Sequence, residues 1–428
     1  MGFKTDIRLD PLNHNKARLL PLSVYLLFCL FIVVTPSFSL IPWATLYDQK
    51  RIIQVALLLL PACLVLFSQR TSSQVLGQFL MLPPLGRWAL ALISFFGLLS
   101  SLLAPSPRHA FLELSTFILL IGFSLTVAAQ VQRHGQVMIA ALFTAFVAGA
   151  FAYQANFFTS YTGIVILGHA LSLPEPFSGF SNIRFFNQYQ IWTLPLISLP
   201  LLLYPRLLPI LRWLIFILAS GWWVLLFASQ SRGAQLAIGI ALLVTLLIFQ
   251  REAWNLIKGS VVTGIVGLFL YFILFSYAPD LETASRLATL TEDTPRLTLW
   301  QMAIHMIADN PWLGVGPMHY AYYPNAIAAH PHNALLQIAA EWGLPAFLTL
   351  LTITFWGIIS LPVHYFKVFD KDSDKKEPVI WIGLFCSLVA AMTYSVRSVV
   401  IVMTTSHDLV STIAGLIQIG AQDKALAL

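Results

Sequence analysis

The sequence predicts an all-α membrane protein with about twelve transmembrane helices. Of its 428 residues, 58% are hydrophobic and only 10% are charged, and the mean hydropathy is +0.79. A soluble protein carries about 25% charged residues, so this composition excludes a water-soluble globular protein. The apolar segments are long enough to form helices, and they lack the alternation at every second residue that marks the strands of a membrane β-barrel.

Each predicted helix is an apolar run of helical length that polar or turn-forming residues bound. Prolines inside several runs are compatible with helices, because neighbouring helices satisfy the freed backbone groups. The basic segment 1–19 precedes the first run without a convincing cleavage site, so we interpret that run as an uncleaved helix. The predicted helices are 20–40, 52–68, 88–104, 110–129, 137–157, 187–204, 212–228, 234–250, 259–277, 344–363, 378–396 and 398–418.

The distribution of lysine and arginine predicts the orientation, because basic residues concentrate in cytoplasmic loops. With the N-terminus in the cytoplasm, 16 of the 24 basic residues fall on that side and 8 on the other, and both termini are cytoplasmic. The guanidinium group of arginine is planar, stays charged and binds phosphate oxygens through two parallel hydrogen bonds. The arginines on the outer face therefore indicate a phosphate-binding site. The alternative is that they form scattered salt bridges and contacts with lipid headgroups. The outer arginines are Arg51, Arg108, Arg184, Arg232, Arg286, Arg296 and Arg397.

We interpret residues 1–428 as a single polytopic domain with two long outer segments, 158–186 and 278–343. The second segment is too short and too poor in core residues to fold as an independent domain. It contains two helix-like stretches, 294–309 and 332–342, and Gly343 follows the second as a stop signal. We expect this segment to pack on the membrane face as a lid or as one wall of a cavity.

Two outer motifs place an arginine beside a helix start. Arg232 belongs to a Ser-Arg-Gly turn at the predicted start of a helix, where the helix N-terminus favours anions. Arg184 precedes Asn187 and Gln188, and polar amides at the start of a membrane helix are costly unless they bind something. These motifs predict binding of phosphate and of sugar hydroxyls. The alternatives are a snorkelling arginine in the first motif and amides that join helices in the second.

The segment 278–343 supplies the remaining candidates. Arg296 and Trp300 lie one helical turn apart on one face. The glycine-rich turn after them follows no strand, which excludes a nucleotide phosphate loop. His332 and Asn333 begin a predicted helix, and a histidine there suits proton transfer. His332 has two alternatives, a capped structural histidine and a metal ligand with His319 or His330, but the loop lacks a carboxylate cluster for a metal.

Taken together, these motifs resemble the O-antigen ligase family of bacterial inner-membrane proteins, within the broader group of ligases, polymerases and O-oligosaccharyltransferases. The resemblance covers most of the chain, including the large outer loop between the ninth and tenth predicted spans. The family often has Gly, Thr or Tyr three residues beyond its motif glycine, and this chain departs from it with Ala346. The matching motifs are Ser231–Gly233, Arg184–Gln188, Arg296 with Trp300 and Pro311–Gly316, and His332 and Asn333 with Gly343.

The resemblance implies a GT-C type glycosyltransferase of the bacterial inner membrane with its active site on the periplasmic face, so that 278–343 is a periplasmic loop. It implies transfer of O-antigen from undecaprenyl pyrophosphate to a sugar hydroxyl of lipid A core, with inversion and without a metal or other cofactor. Membrane lipids are expected partners and nucleic acid is not. The implied catalytic residues are His332, as general base, and Arg232. The implied substrate-binding residues are Arg184, Arg296, Arg286, Asn187, Gln188, Trp300, Asn333 and His330.

Three alternatives stay open at the level of the sequence. A polymerase would use the same donor, although the His-Asn pattern with Gly343 favours the ligase. A protein O-oligosaccharyltransferase tends to carry a periplasmic domain after its last helix, and only about ten residues follow the last predicted helix here. A transporter or flippase would show charged residues near the bilayer midplane and two related halves, whereas the charges here cluster at the outer surface.

Overall fold

The computed structural model describes residues 55–166 except 57, 60, 64 and 68, together with 177, 183–203, 206–275, 295–323, 330, 331, 333–368 and 376–397. Within these ranges the regular secondary structure is entirely helical. Seven helices of this part are long and apolar enough to cross a membrane. The helices are α1 Gln69–Met81, α2 Pro84–Leu103, α3 Pro107–His134, α4 Gln136–Ile166, α5 Ile183–Ile197, α6 Leu199–Leu203, α7 Pro209–Ala228, α8 Arg232–Phe249, α9 Trp254–Phe275, α10 Pro295–Asp309, a 3₁₀ helix His319–Tyr322, α11 Ala334–Val368 and α12 Lys376–Arg397.

The prediction of an all-α membrane protein is confirmed, while the number twelve stays a prediction. The predicted helices 20–40 and 398–418, and part of 52–68, lie outside the described residues. Every other predicted span coincides with a helix. The run 187–204 is divided into α5 and α6, and α4 continues to Ile166, which shortens the outer segment expected at 158–186. Helix α1 was not predicted, because its polar and apolar residues balance and leave no apolar run.

Proline and glycine set several helix boundaries. Pro84, Pro107 and Pro209 are the first residues of their helices, where a fixed φ suits the helix and the missing N–H costs nothing. Gly343 interrupts α11 with φ 82° and ψ 165°, a conformation that is essentially restricted to glycine. The two helices predicted at 332–342 and 344–363 are therefore confirmed as two segments that meet at Gly343.

The bundle has two packed groups of helices. Helix α12 contacts α5, α8 and α11, while α7 contacts α4, α5 and α9, and one large apolar core joins these helices around the fully buried Trp222. Helices α2, α3 and α11 form the second group through a smaller core that includes Phe117 and Trp342, whose rings meet edge to face at 5.5 Å. Exposed side chains such as Phe269, Phe272 and Phe355 cover the outside, as expected of surfaces that face lipid.

Ring contacts show which helix ends share a face of the bundle. The ring centroids of Phe186 and Tyr189 in the first turns of α5 lie 5.6 and 5.8 Å from that of Trp222 near the end of α7. At the ends of α4 and α9, Tyr161 and Phe275 meet at 5.0 Å. Because Phe227 of α7 contacts Tyr271 of α9, these ends coincide. We call this the loop end of the bundle: the end where α5 begins and α4, α7 and α9 finish.

Candidate active site

The Ser-Arg-Gly turn joins α7 to α8 at the loop end. Ser231 is the N-cap of α8, and its Oγ accepts a hydrogen bond from the backbone N–H of Ala234 at 3.4 Å. Arg232 is the first residue of the helix, and its side chain is exposed. The preceding Gln230 has a left-handed φ of 50°, which completes the tight turn between the two helices. The turn thus presents a guanidinium next to the helix N–H groups that attract anions.

Helix α5 carries the second motif in its first turns, at the same end. The side chain of Arg184 lies outside the described part, whereas Asn187 and Gln188 are both buried. Neither the Nδ2 nor the Oδ1 atom of Asn187 has a hydrogen-bond partner among the described residues, although the side chain is 0% exposed. A buried amide without partners costs about 1–3 kcal/mol. The unpaired amide of Asn187 therefore lowers stability, and it lies at a position that sequence reasoning assigned to substrate binding.

The rest of α5 is held rigidly against α7. The amide of Gln190 donates to the carbonyl oxygen of Trp222 at 2.6 Å, and the indole N–H of Trp222 donates to the hydroxyl of Thr193 at 3.0 Å. The rings of Tyr153 and Phe186 stack at 4.5 Å beside this pair. Asn187 therefore lies one turn from a well-packed, hydrogen-bonded contact, and its unpaired amide is not part of a loosely packed region.

A compact unit follows α9 along the chain, and we call it the loop unit: α10, residues 310–323, and residues 333–342, which are the N-cap and first turns of α11. Its small core is formed by Leu299, Ala303, Met306, Tyr320 and Ala340. The hydroxyl of Tyr320 donates to the carbonyl oxygen of Leu299 at 2.8 Å. Burial, and to a smaller extent the charge of Glu341, raises the pKa of Tyr320 to about 12, so this phenol remains a hydrogen-bond donor at neutral pH.

The glycine-rich turn and the helix before Gly343 interlock through their backbones. Val315 and Gly316 donate to the carbonyl oxygens of Ala340 and Glu341 at 2.9 and 3.0 Å, and Leu344 donates to Pro311 at 2.8 Å. A Cβ at Gly314, whose φ is +65°, would lie 2.4 Å from the carbonyl carbon of Glu341. These motif glycines permit two backbone segments to pack together, and the turn has a structural role.

Histidine 332 itself lies outside the described residues, and so does Arg286; the side chain of Arg296 also lies outside the described part. The neighbours of His332 are described. The indole N–H of Trp300 donates to the carbonyl oxygen of Pro331 at 3.0 Å. The Oδ1 atom of Asn333 accepts from the N–H groups of Leu335 and Leu336 at 3.0 and 3.2 Å and so caps α11. The chain is thus held on both sides of position 332, and His330 is partly exposed.

Glu341 is a buried carboxylate that sequence reasoning did not name. Its Oε1 accepts from the backbone N–H of Tyr320, and its Oε2 accepts from the amide of Gln337, both at 3.0 Å. Its carbonyl oxygen also accepts from the hydroxyl of Ser100 at 3.0 Å. Glu341 therefore joins the 3₁₀ helix, α11 and α2. The available signal was a single acidic residue within the apolar run between Asn333 and Gly343.

The loop between α2 and α3 packs against the loop unit, a contact that sequence reasoning missed. The N–H of Ser106 donates to Nε2 of His319 at 2.9 Å, and Nδ1 of His319 lies 2.7 Å from the carbonyl oxygen of Pro317. This geometry requires the tautomer with its proton on Nδ1 and occupies both ring nitrogens, which removes His319 as a metal ligand. The exposed His109 shares its Nδ1 between Ser106 Oγ and Tyr322 Oη, at 2.8 and 2.9 Å.

The fold and its motifs define a polytopic membrane protein with a candidate active site at one end of the helix bundle. Residues 214–351 match the family model described as O-antigen ligase, which supports the resemblance drawn from the motifs over about a third of the chain. The matched segment extends from α7 into α11 and includes Arg232, Arg296 and His332 but not Arg184. No curated protein matches the chain. The family implies a glycosyltransferase-like enzyme of O-antigen assembly, whose general partners are lipid-linked polysaccharide and lipid A core.

Proposed function

We propose that the protein is an O-antigen ligase, which transfers O-antigen from undecaprenyl pyrophosphate to a sugar hydroxyl of lipid A core. One observation carries the proposal, which is that three features share one end of the bundle. They are the start of α5, the Ser-Arg-Gly turn, and the end of α9, from which the loop unit follows. The match of residues 214–351 to the O-antigen ligase family supports the same reaction class. A lipid-linked donor and a lipid-anchored acceptor both fit a helical bundle whose polar motifs lie at a membrane surface.

The arginines are the proposed holders of the pyrophosphate. Arg232 at the N-terminus of α8, Arg184 in the first turn of α5 and Arg296 in the first turn of α10 would bind its oxygens, with Arg286 as a weaker candidate. The leaving pyrophosphate is a stable anion, so it needs charge stabilisation more than a general acid. Guanidinium groups can supply that stabilisation, and we propose a reaction without a metal. Ligation by the purified protein is therefore expected to persist in EDTA.

His332 is the proposed general base. It would accept the proton of the acceptor hydroxyl while that oxygen bonds to the anomeric carbon and the bond from this carbon to the pyrophosphate oxygen breaks. Attack from the face opposite the leaving group inverts the anomeric configuration. The contacts of Trp300 with Pro331 and of Asn333 with α11 support a fixed position for the base, because they hold the chain on either side of it.

The substrate sugars would meet the amides of α5. Asn187 is buried with two unpaired amide atoms, and we propose that a sugar hydroxyl pairs with it when the donor is bound. Gln188, His330 and Asn333 remain candidates for further contacts to the sugars. Trp300 uses its indole N–H for Pro331, so we assign it to positioning as well as to contact with substrate.

The proposed setting is the bacterial inner membrane, with both termini in the cytoplasm, the loop end on the periplasmic side and a GT-C type architecture. The apolar tail of the donor would lie between helices that face lipid.

Deletion of the gene in a strain with smooth lipopolysaccharide, followed by analysis of its glycolipids, tests the function. We expect carrier-linked polymer to accumulate while lipid A core stays bare, and complementation to restore ligation. Attachment of single O-antigen units in the mutant would instead identify a polymerase and contradict the proposal. An unchanged lipopolysaccharide with altered protein glycosylation would identify a protein O-oligosaccharyltransferase.

A further inference from the structure

We infer that a second site, distant from the candidate active site, binds the headgroup of an anionic glycerophospholipid. A cavity of about 310 Å³ lies between α1 and the end of α3. Liquid water takes up about 30 Å³ per molecule, so the cavity has room for a phosphate with a small polyol. Its lining residues are Gln74, Gly77, Gln78 and Met81 of α1 and Ala129, Gln132 and Arg133 of α3.

The cavity lies at the opposite face of the membrane from the loop unit. Helix α3 begins beside the loop unit, where the N–H of Ser106 donates to His319, and it ends at His134. Its 28 residues extend about 42 Å at 1.5 Å per residue, which exceeds the roughly 30 Å of the hydrocarbon layer. The second site therefore lies across the membrane from the proposed ligation site.

The lining has the chemistry of a phosphate and hydroxyl site. Arg133 offers a guanidinium fork for phosphate oxygens, and three glutamine amides lie around it. The amide of Gln78 donates to Oε1 of Gln132 across the two helices. The Oε1 atom of Gln74 is buried and has no hydrogen-bond partner in the described part of the chain. That oxygen can accept a hydrogen bond from a hydroxyl, such as those of a glycerol headgroup.

The surroundings of the cavity favour a lipid over a free phosphate. Gln74, Gly77, Gln78 and Met81 follow helical spacing and form one face of α1. On another face, Leu76 and Leu80 are more than half exposed. An amphipathic helix with exposed leucines lies at the boundary between headgroups and acyl chains. Because no carboxylate lines the cavity, the amine of a zwitterionic headgroup would lack a counter-charge, and an anionic headgroup fits better.

Gly77 provides a variant that fills the cavity without disturbing the fold. A Cβ at Gly77 meets no atom within 4 Å, and leucine is a better helix former than glycine. Gly357 in α11 is equally open, and Gly357→Leu is the matched control. The charge is tested by Arg133→Gln against Arg251→Gln, since Arg251 is an exposed arginine just after α8, at the end of the bundle away from the loop end.

Retention of phosphatidylglycerol by the purified full-length protein, measured by native mass spectrometry, tests the inference. We expect wild type, Gly357→Leu and Arg251→Gln to retain the lipid, and Gly77→Leu and Arg133→Gln to retain it at least about 10-fold less. Equal retention by wild type and both cavity variants would overturn the site. Equal retention of phosphatidylethanolamine would overturn the anionic assignment. If glycerol phosphate in lipid-free detergent shifted the melting temperature as much as phosphatidylglycerol does, the lipid assignment would be overturned.

Discussion

The loop unit and the start of α5 differ in how the polar side chains singled out above are paired. In the loop unit, three polar side chains form hydrogen bonds within the protein: Trp300 binds Pro331, Asn333 caps α11, and Glu341, outside the motifs, binds Tyr320 and Gln337. At the start of α5, Asn187 is buried with neither amide atom paired within the described residues. The contrast supports the proposal that the loop unit shapes the site and that the buried amide of Asn187 pairs with a bound ligand.

Among the substitutions considered, Gly343→Ala is expected to disrupt the packing of the loop unit most strongly. The new Cβ would lie 2.3 Å from the carbonyl oxygen of Trp312, and the backbone conformation alone costs a non-glycine residue about 1–3 kcal/mol. We expect ligation in cells to be lost and protein levels to fall, as measured by glycolipid gels and immunoblots. Gly357→Ala lies in the same helix with no atom within 4 Å of the new Cβ. If both variants behaved like wild type, the interlocked backbone would have no importance for the site.

Removal of the exposed Arg232 side chain tests its proposed role in binding the pyrophosphate. We expect Arg232→Ala to lower kcat/KM about 100-fold, the scale of losing one group that stabilises developing charge, while protein levels stay normal. Arg232→Lys should recover only part of the loss, because lysine lacks the planar fork. Arg251→Ala, also exposed, is the control for loss of one positive charge. Equal kinetics of the Arg232 and Arg251 variants would exclude Arg232 from the site.

Asn187→Leu distinguishes ligand binding from helix packing. Leucine has a similar shape and removes an unpaired amide, so we expect the melting temperature to stay constant or rise while kcat/KM falls about 10-fold. Gln190→Leu is the matched comparison, since it breaks a hydrogen bond to Trp222 and should lower the melting temperature. A lower melting temperature for Asn187→Leu with unchanged ligation would show that Asn187 joins helices and binds no sugar.

Tyr320→Phe should have the smallest effect. It removes the hydrogen bond to the carbonyl oxygen of Leu299 but retains the ring in the small core of the loop unit. We expect a loss of about 1 kcal/mol of stability, visible as a slightly lower melting temperature, and ligation within about 3-fold of wild type. A loss of ligation as large as that of Arg232→Ala would mean that the phenol takes part in the reaction.

The membrane helices could be predicted because each is a long apolar run, and the break at Gly343 could be predicted because glycine ends helices. Helix α1 could not be predicted in this way, because its stability comes from packing one face on α3. The helix starts at Pro84, Pro107 and Pro209 precede the apolar runs, since the first turn of a helix tolerates residues that lower hydropathy.

The sequence pointed to Arg232, Asn187 and the motif around His332 because these residue types stand at helix starts. It did not point to Glu341 or His109, and it named His319 only as a possible metal ligand. The roles of these residues depend on contacts with the end of α2 or with the loop between α2 and α3. The partners in the pairs Ser106–His319 and Ser100–Glu341 are more than 200 positions apart in the sequence. Such contacts arise only when the helices are packed, and no local pattern in the sequence encodes them.

The ligation rate of purified His332→Ala tests the proposed general base at position 332. His305→Ala is the matched control, because His305 is an exposed histidine on α10 outside the motifs. At equal protein levels and melting temperatures, we expect a loss of at least about 100-fold for His332→Ala and wild-type rates for His305→Ala. A rate for His332→Ala within about 3-fold of wild type would contradict it.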